Sequence, residues 1–237
     1  MALSHGFLTK MQGRASQKAA LKAELQRLVD GAYPLLQVVD DGDRLSLKGG
    51  LPIREEGKEL ALYQVEIVFP DSYPEEIPVV REIGGKIPKI SDRHVDSDGS
   101  ACLFVRDETY KFCPPGYTVA QFIEGPVRQF FLGQVVFDDT GKFPAERKHG
   151  VDGILDFYEE VLGTRNMQTV ITFLEYLTHA ELKGHRECFC GSKKKIRNCH
   201  LTVMQDFKNK IRQVDAERSL KQLKLDFGRS SGRKHYQ

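Results

Sequence analysis

Between Leu60 and Phe69 large apolar residues recur at alternate positions, so that Tyr63, Val65, Ile67 and Phe69 share one face of an extended chain. A period of two describes a half-buried strand. Pro70 closes it, because proline cannot donate to a hydrogen-bond ladder. Shorter strand-like runs, Pro34 to Val39, Arg44 to Lys48 and Pro78 to Ile83, are punctuated by Asp40-Asp41-Gly42-Asp43, Gly49-Gly50 and Gly84-Gly85. Turn residues between short strands predict an antiparallel meander.

Helical patterns stand on either side. Ser16 to Gly31 carries Leu21, Leu25, Leu28, Val29 and Ala32 on one stripe, with Gly31 as a stop. After the meander, Thr118-x-x-Gln121 is a capping-box signature, and Pro126 is expected to kink or restart the helix it opens. Val151 to Leu162 and Met167 to Leu182 continue the helical period, the second with Val170, Leu174 and Leu177 on one face. Leu201 to Leu225 reads as one long polar helix. Helix, antiparallel sheet, helices is an α+β order.

A chain of 237 residues suffices for one domain, placed at 1–165, and a helical extension at 166–237. Hydrophobic content of 40% and charged content of 29% are those of a soluble globular protein. Met1 to Arg14 lacks the apolar run of a secretory signal, and no later stretch is long enough to span a bilayer. Five unevenly spaced cysteines argue against a disulfide framework and for a reducing cytoplasm. Charge is unevenly distributed: from Lys183 onward fifteen Lys and Arg face five acids, a balance of +10, whereas the preceding residues sum to −8. The tail suits an acidic partner, nucleic acid included.

Four of the cysteine and histidine residues are clustered. Cys188-x-Cys190 is followed after eight residues by Cys199-His200. Three thiolates and an imidazole in two tight pairs suit tetrahedral zinc, with all four positions filled by protein and hence a structural, closed site. The intervening Lys193, Lys194, Lys195 and Arg197 either solvate the knuckle and stabilise its thiolates or form a contact surface.

Cys102 stands apart, at the end of Arg93-His94-Val95-Asp96-Ser97-Asp98-Gly99-Ser100-Ala101-Cys102-Leu103. A thiolate is both nucleophile and leaving group, able to accept a carboxyl as a thioester and release it to an amine. Gly99 allows close backbone approach by an incoming tail, and the amides nearby are candidates to face an oxyanion. Taken alone, a free cysteine reads more often as packing than as chemistry. About thirty residues earlier, however, lies Phe69-Pro70-Asp71-Ser72-Tyr73-Pro74-Glu75-Glu76-Ile77-Pro78, whose prolines favour an extended crossing of the sheet edge.

A strand ending in F-P-x-x-Y-P-x-x-x-P, then a histidine and a Gly-bearing approach to Cys-Leu, resembles the core of ubiquitin-conjugating enzymes. The likeness covers roughly residues 16–163, and the prokaryotic branch, with a shortened His-to-Cys loop and a later His-Gly pair, is the better match; here that pair is His149-Gly150. The resemblance implies a UBC-like antiparallel sheet flanked by helices, with Cys102 as thioester-forming nucleophile and His94, Asp96 and Asp98 as further catalytic candidates. The knuckle resembles the SEC-C zinc motif, with Lys193 in place of its usual second glycine. Eukaryotic relatives of the first family carry His-Pro-Asn, and the Asn is thought to stabilise the oxyanion. This chain has His94-Val95-Asp96, a loop two residues shorter, and no asparagine before Asn166. An ionised Asp only accepts hydrogen bonds, so Asp96 or Asp98 is left either to orient or deprotonate an attacking lysine or to solvate the loop. His149 likewise reads as catalytic or as a satisfier of backbone groups.

The partners so implied are a ubiquitin-like modifier or another protein with a conjugatable C-terminus, such as the cGAS-like nucleotidyltransferase of bacterial antiphage (CBASS) operons. The chain has no P-loop, so a separate adenylating enzyme is expected. The alternative is a non-catalytic scaffold of the same fold, or an adaptor for nucleic acid or protein acting through the knuckle and basic tail.

Overall fold

A computed structural model of the protein describes residues 3–144, 148, 150–178 and 184–232. In chain order its elements are α1 (Leu3–Ala32), β1 (Leu36–Asp40), β2 (Leu45–Glu55), β3 (Lys58–Phe69), β4 (Val79–Glu82), α2 (Thr109–Phe112), α3 (Val119–Phe122), α4 (Arg128–Thr140), α5 (Gly150–Leu162), α6 (Met167–Thr178), α7 (Leu201–Lys210) and α8 (Gln213–Gly232). The class is α+β, with a four-stranded antiparallel sheet in the order β1-β2-β3-β4 flanked by helices. The chain divides into two compact units, Met1–Leu103 with Gly116–Pro144, and Phe104–Pro115 with Ala145–Gln237. The sequence boundary at 165/166 falls within the second unit, between α5 and α6. Among the described residues no helix is long and apolar enough to cross a membrane.

In the first unit the alternation of β3 sets the core. Tyr63, Val65, Ile67 and Phe69 are buried, and opposite them on β2 lie Leu51, Gly49, Leu47 and Leu45. Directly opposed residues share a face, so these pairs build one apolar layer. Helix α1 covers it with Leu25 and Val29, whereas Ala32, assigned to the same stripe, is exposed.

Gly49-Gly50 does not turn the chain. Both residues lie inside β2, which runs through to Glu55. Gly49 adopts φ +138, and a Cβ there would stand 2.2 Å from the Leu35 carbonyl oxygen. That same oxygen accepts the Gly50 N–H at 2.9 Å. The glycine serves a close backbone crossing, a role glycine shares with turns. The proline-rich segment after β3 also departs from the extended path expected. It folds into successive turns, Tyr73 N–H to Pro70 O at 3.0 Å and Glu75 N–H to Ser72 O at 2.7 Å. The Tyr73–Pro74 peptide bond is cis, and the Tyr73 ring packs edge-on against Phe69 and Tyr117.

Thr118 and Gln121 form the expected capping box at the start of α3. Pro126 is absorbed by one wide π turn, Ile123–Val127, between α3 and α4; proline removes an i→i−4 donor, and a π turn accommodates the gap.

The second unit is built on α5, α6, α7 and α8, with Phe157, Tyr158, Val170, Phe173, Leu174, Met204 and Leu223 at its centre. The single long helix expected from Leu201 to Leu225 is two. Ile211 is buried and extended (φ −84, ψ 125), ending α7, and Arg212 O accepts the amides of Asp215 and Ala216 to start α8. A cluster of buried polar groups reinforces the break. Asp215, fully buried, accepts from Arg212 Nε at 2.6 Å. Asp107 accepts from the Tyr158 hydroxyl at 2.6 Å and from the Ser219 hydroxyl. The last part of the Met167–Leu182 reading, beyond Thr178, and His149 lie outside the described residues.

Candidate functional site

Cys102 closes a compact loop on the edge of β4. Ala101 N–H donates to Val80 O at 2.8 Å, and Arg81 bridges to Ser100. On the other side Val95 bridges to Ala101, and Cys102 N–H donates to His94 O at 2.8 Å. Between the two arms the chain reverses at Asp96-Ser97-Asp98-Gly99, with Gly99 N–H on Asp96 O at 2.8 Å and Asp96 N–H on Ser100 O at 2.9 Å. Gly99 has φ +83, a conformation that glycine adopts without penalty. It is buried, and Lys89 Cε and Nζ would stand 3.0 Å from a Cβ there. The turn therefore favours glycine here, whereas the flexible end of Lys89 could move aside.

The four catalytic candidates occupy different surroundings. Cys102 is partly exposed. His94 is buried at 9% exposure, has a left-handed backbone (φ 54), and packs its ring at a tilt against that of Phe143, centroids 4.2 Å apart. Its carbonyl holds the Cys102 amide, so it positions the cysteine through the main chain. Asp98 is exposed but engaged: Ser100 Oγ lies at 2.5 Å, Ser100 N–H at 3.0 Å and Arg81 at 3.2 Å. The Ser100 hydroxyl and amide, then Arg81, hold its carboxyl below the usual range. Asp96, also exposed, receives among the described residues a long 3.5 Å contact from Ser100 Oγ.

The amides expected to face an oxyanion are committed elsewhere. Asp96, Gly99, Ser100, Ala101 and Cys102 all donate within the loop or to β4. The other cysteine outside the cluster, Cys113, is buried, and that burial pushes its thiol up to about 11 against the pull of Arg212 and Arg106.

Cys188, Cys190, Cys199 and His200 converge at the knuckle. Their ligand atoms all lie within 4.8 Å of one another, an arrangement that could hold a metal ion. Cys188 Sγ and Cys199 Sγ each stand 3.2 Å from His200 Nδ1, and Cys190 Sγ lies 3.6 Å from Cys199 Sγ. The ligands are placed by a pair of short arms: Cys188 N–H donates to Lys194 O at 2.8 Å, and Glu187 bridges to Lys195. Gly191 (φ +78) and Lys193 (φ +58) turn the chain between them. The His200 ring lies 5.2 Å from that of Phe189. Burial pushes the Cys188 thiol up to about 12. At Cys190 burial also opposes ionisation, but bonds from Ser192 and the adjacent thiols outweigh it and bring the group to about 6.

Spacing alone could find the knuckle, since its ligands span thirteen residues. The Asp107–Tyr158–Ser219 cluster had no such signal, its members being 51 and 112 positions apart. No protein-family model, curated protein or solved structure matches this chain.

Proposed function

We propose that the chain is an acyl carrier of the ubiquitin-conjugating type, in which the Cys102 thiolate accepts the C-terminal carboxyl of a ubiquitin-like or other protein and passes it to an amine. One observation carries this reading: Cys102 is the cysteine that is both outside the Cys-His cluster and partly exposed, at the end of a loop clamped to a sheet edge. The order of helix, four-strand antiparallel meander, cysteine loop and helices adds support.

Two substitutions at one carbonyl carbon make up the reaction. First Sγ of Cys102 attacks a thioester brought by a separate activating enzyme; a C–S bond forms, the old C–S bond breaks, and the donor's thiolate leaves. Then a neutral amine attacks the same carbon, a C–N bond forms, Cys102 leaves as thiolate, and the surplus ammonium proton passes to a base. Asp96 suits that base, because Asp98 is bound up with Ser100 and Arg81. Donors to the tetrahedral oxygen come from outside the committed amides of residues 99–102.

Zinc fits the knuckle. A tetrahedral ion with Zn–S near 2.3 Å and Zn–N near 2.0 Å needs ligand–ligand edges of roughly 3.6–3.8 Å, which lie inside the span of separations here, from 3.2 Å up to the 4.8 Å that bounds the set. A divalent ion displaces the thiol protons on binding and offsets the repulsion among the three thiolates so formed. With Cys188, Cys190, Cys199 and His200 as ligands the coordination is complete, and the ion's contribution is to folding.

The transfer reading is tested with the full chain and a ubiquitin-fold protein supplied as its C-terminal thioester. A slower band on a non-reducing gel, removed by added thiol and absent in Cys102→Ala, is expected. No adduct on the wild type, with its metal bound, favours the non-catalytic scaffold.

A further inference from the structure

Part of the basic excess of the C-terminal part lies between Arg186 and Arg197, where five cations face one acid. On α7, α8 and the break between them Lys210 lies 2.7 Å from Asp206, Arg212 2.6 Å from Asp215, and Lys224 2.7 Å from Glu175. The knuckle is different: Arg186, Lys193, Lys194, Lys195 and Arg197 are all exposed, and none has an ion-pair partner among the described residues. Glu187 is the one acid between Gly184 and His200. The backbone gathers these cations, since Ile196 N–H donates to Arg186 O at 2.9 Å and Arg197 N–H to Gly184 O at 3.0 Å. Arg186 is thereby brought beside the lysine run.

Three kinds of polyanion could meet such a surface, and the neighbouring side chains distinguish them. Protein interfaces depend on aromatic or apolar anchors at their centre, and single-stranded nucleic acid stacks its bases on exposed aromatics. The knuckle offers neither. Its aromatic residue, Phe189, packs inward against Phe173 at 5.5 Å and Tyr176 at 6.1 Å. Among the described residues of this unit the exposed large apolar ones, Leu225 and Phe227, belong to α8. Cations without anchors suit the regular phosphates of a duplex, which bind through charge and counterion release alone. Because these cations sit on turns and short arms, contact is with phosphates and carries no sequence information.

We propose that the knuckle from Arg186 to Arg197 is a docking surface for the phosphate backbone of double-helical nucleic acid, without sequence preference. The proposal rests on charge and exposure and is independent of acyl transfer at Cys102.

The test uses the full-length, zinc-loaded protein and fluorescence anisotropy with a labelled blunt DNA duplex, the same sequence as an RNA duplex, a labelled single strand, and polyglutamate as competitor. Either duplex is expected to bind whatever its sequence, with log K falling against log salt at a slope of roughly −2 to −4, as a few phosphate contacts require. The triple variant Lys193→Glu/Lys194→Glu/Lys195→Glu should lose about tenfold or more in affinity and flatten that slope, at unchanged zinc content. The corresponding Lys→Gln triple variant covers the case in which charge reversal unfolds the knuckle, and Lys221→Glu/Lys224→Glu on α8 should bind like wild type. The proposal is overturned if neither duplex binds at low salt, if the glutamine variant binds as tightly as wild type, or if the α8 variant weakens binding equally. Tighter binding of the single strand overturns it too, as does displacement of the duplex by polyglutamate at equal charge, the result an acidic-protein surface would give.

Discussion

Replacing Asp107 by asparagine should stabilise the protein at neutral pH while changing little near pH 4. The Asp107 carboxyl is 1% exposed and accepts hydroxyl bonds from Tyr158 and Ser219. Burial raises it from 3.8 to about 6, with the two hydroxyls pulling it down and the Asp215 charge pushing it up. In the unfolded chain the group titrates near its ordinary value. A carboxyl that is harder to ionise when folded supports the native state below the unfolded value, and this support is lost as pH climbs to the folded value. A difference of about two units at 1.36 kcal/mol each amounts to about 3 kcal/mol, lost between roughly pH 4 and pH 6. The substituted amide carries no charge to desolvate, its carbonyl keeps one hydroxyl donor, and the other hydroxyl can rotate to accept from its NH2 group. Urea unfolding of both proteins from pH 4 to pH 8 measures the effect. The difference between them isolates this group and its immediate neighbours, because titrating groups away from it, including those of the knuckle, cancel. A gap widening in favour of Asp107→Asn to about 3 kcal/mol above pH 6 is expected. A difference that stays flat with pH, or a variant less stable at pH 8, would refute the reasoning.

Three further substitutions probe the frame of the two sites. Gly49→Ala puts a methyl 2.2 Å from the Leu35 carbonyl at φ +138; a loss of at least ~2 kcal/mol in urea unfolding is expected, and wild-type stability would show that the crossing is looser than described. Gly133→Ala meets the Phe143 ring at 2.4 Å and should cost ~1–3 kcal/mol. It should also shift the His94 imidazole resonances by displacing the ring packed against that side chain, and unmoved resonances would contradict that coupling. Lys193→Gly relieves a left-handed backbone at φ +58 and should gain ~1 kcal/mol, read as about fivefold tighter zinc in a chelator competition; unchanged affinity would argue against it.

How much of this could be read from the chain varies with the range of the interaction. Tyr63, Val65, Ile67 and Phe69 announced their strand because one buried face imposes a period of two, and Thr118 with Gln121 announced a helix start because the cap is local. Gly49-Gly50 misled because glycine marks a turn and a close crossing with the same letter, and only the distant Leu35 carbonyl decides between them. The break at Ile211 was hidden for a related reason: the stretch from Leu201 to Leu225 favours helix throughout, and burial of Ile211 with the Arg212–Asp215 pair interrupts it. At the cysteine loop the residue types were legible but their occupations were not. Asp98 and the amides of residues 99–102 are spent on holding the turn, which follows from the fold and from no motif.

Intact-mass spectrometry tests the central claim most directly. After incubation with a ubiquitin-fold C-terminal thioester, wild-type protein should gain the mass of that protein less its leaving thiol, lose it on treatment with dithiothreitol, and carry it on the Cys102 peptide. With Cys102→Ser the adduct, if formed, should resist thiol and yield only to alkali, as an oxygen ester does. Mass gained on Cys113 or on the knuckle cysteines, or no gain while Cys102 still reacts with iodoacetamide, would contradict the account.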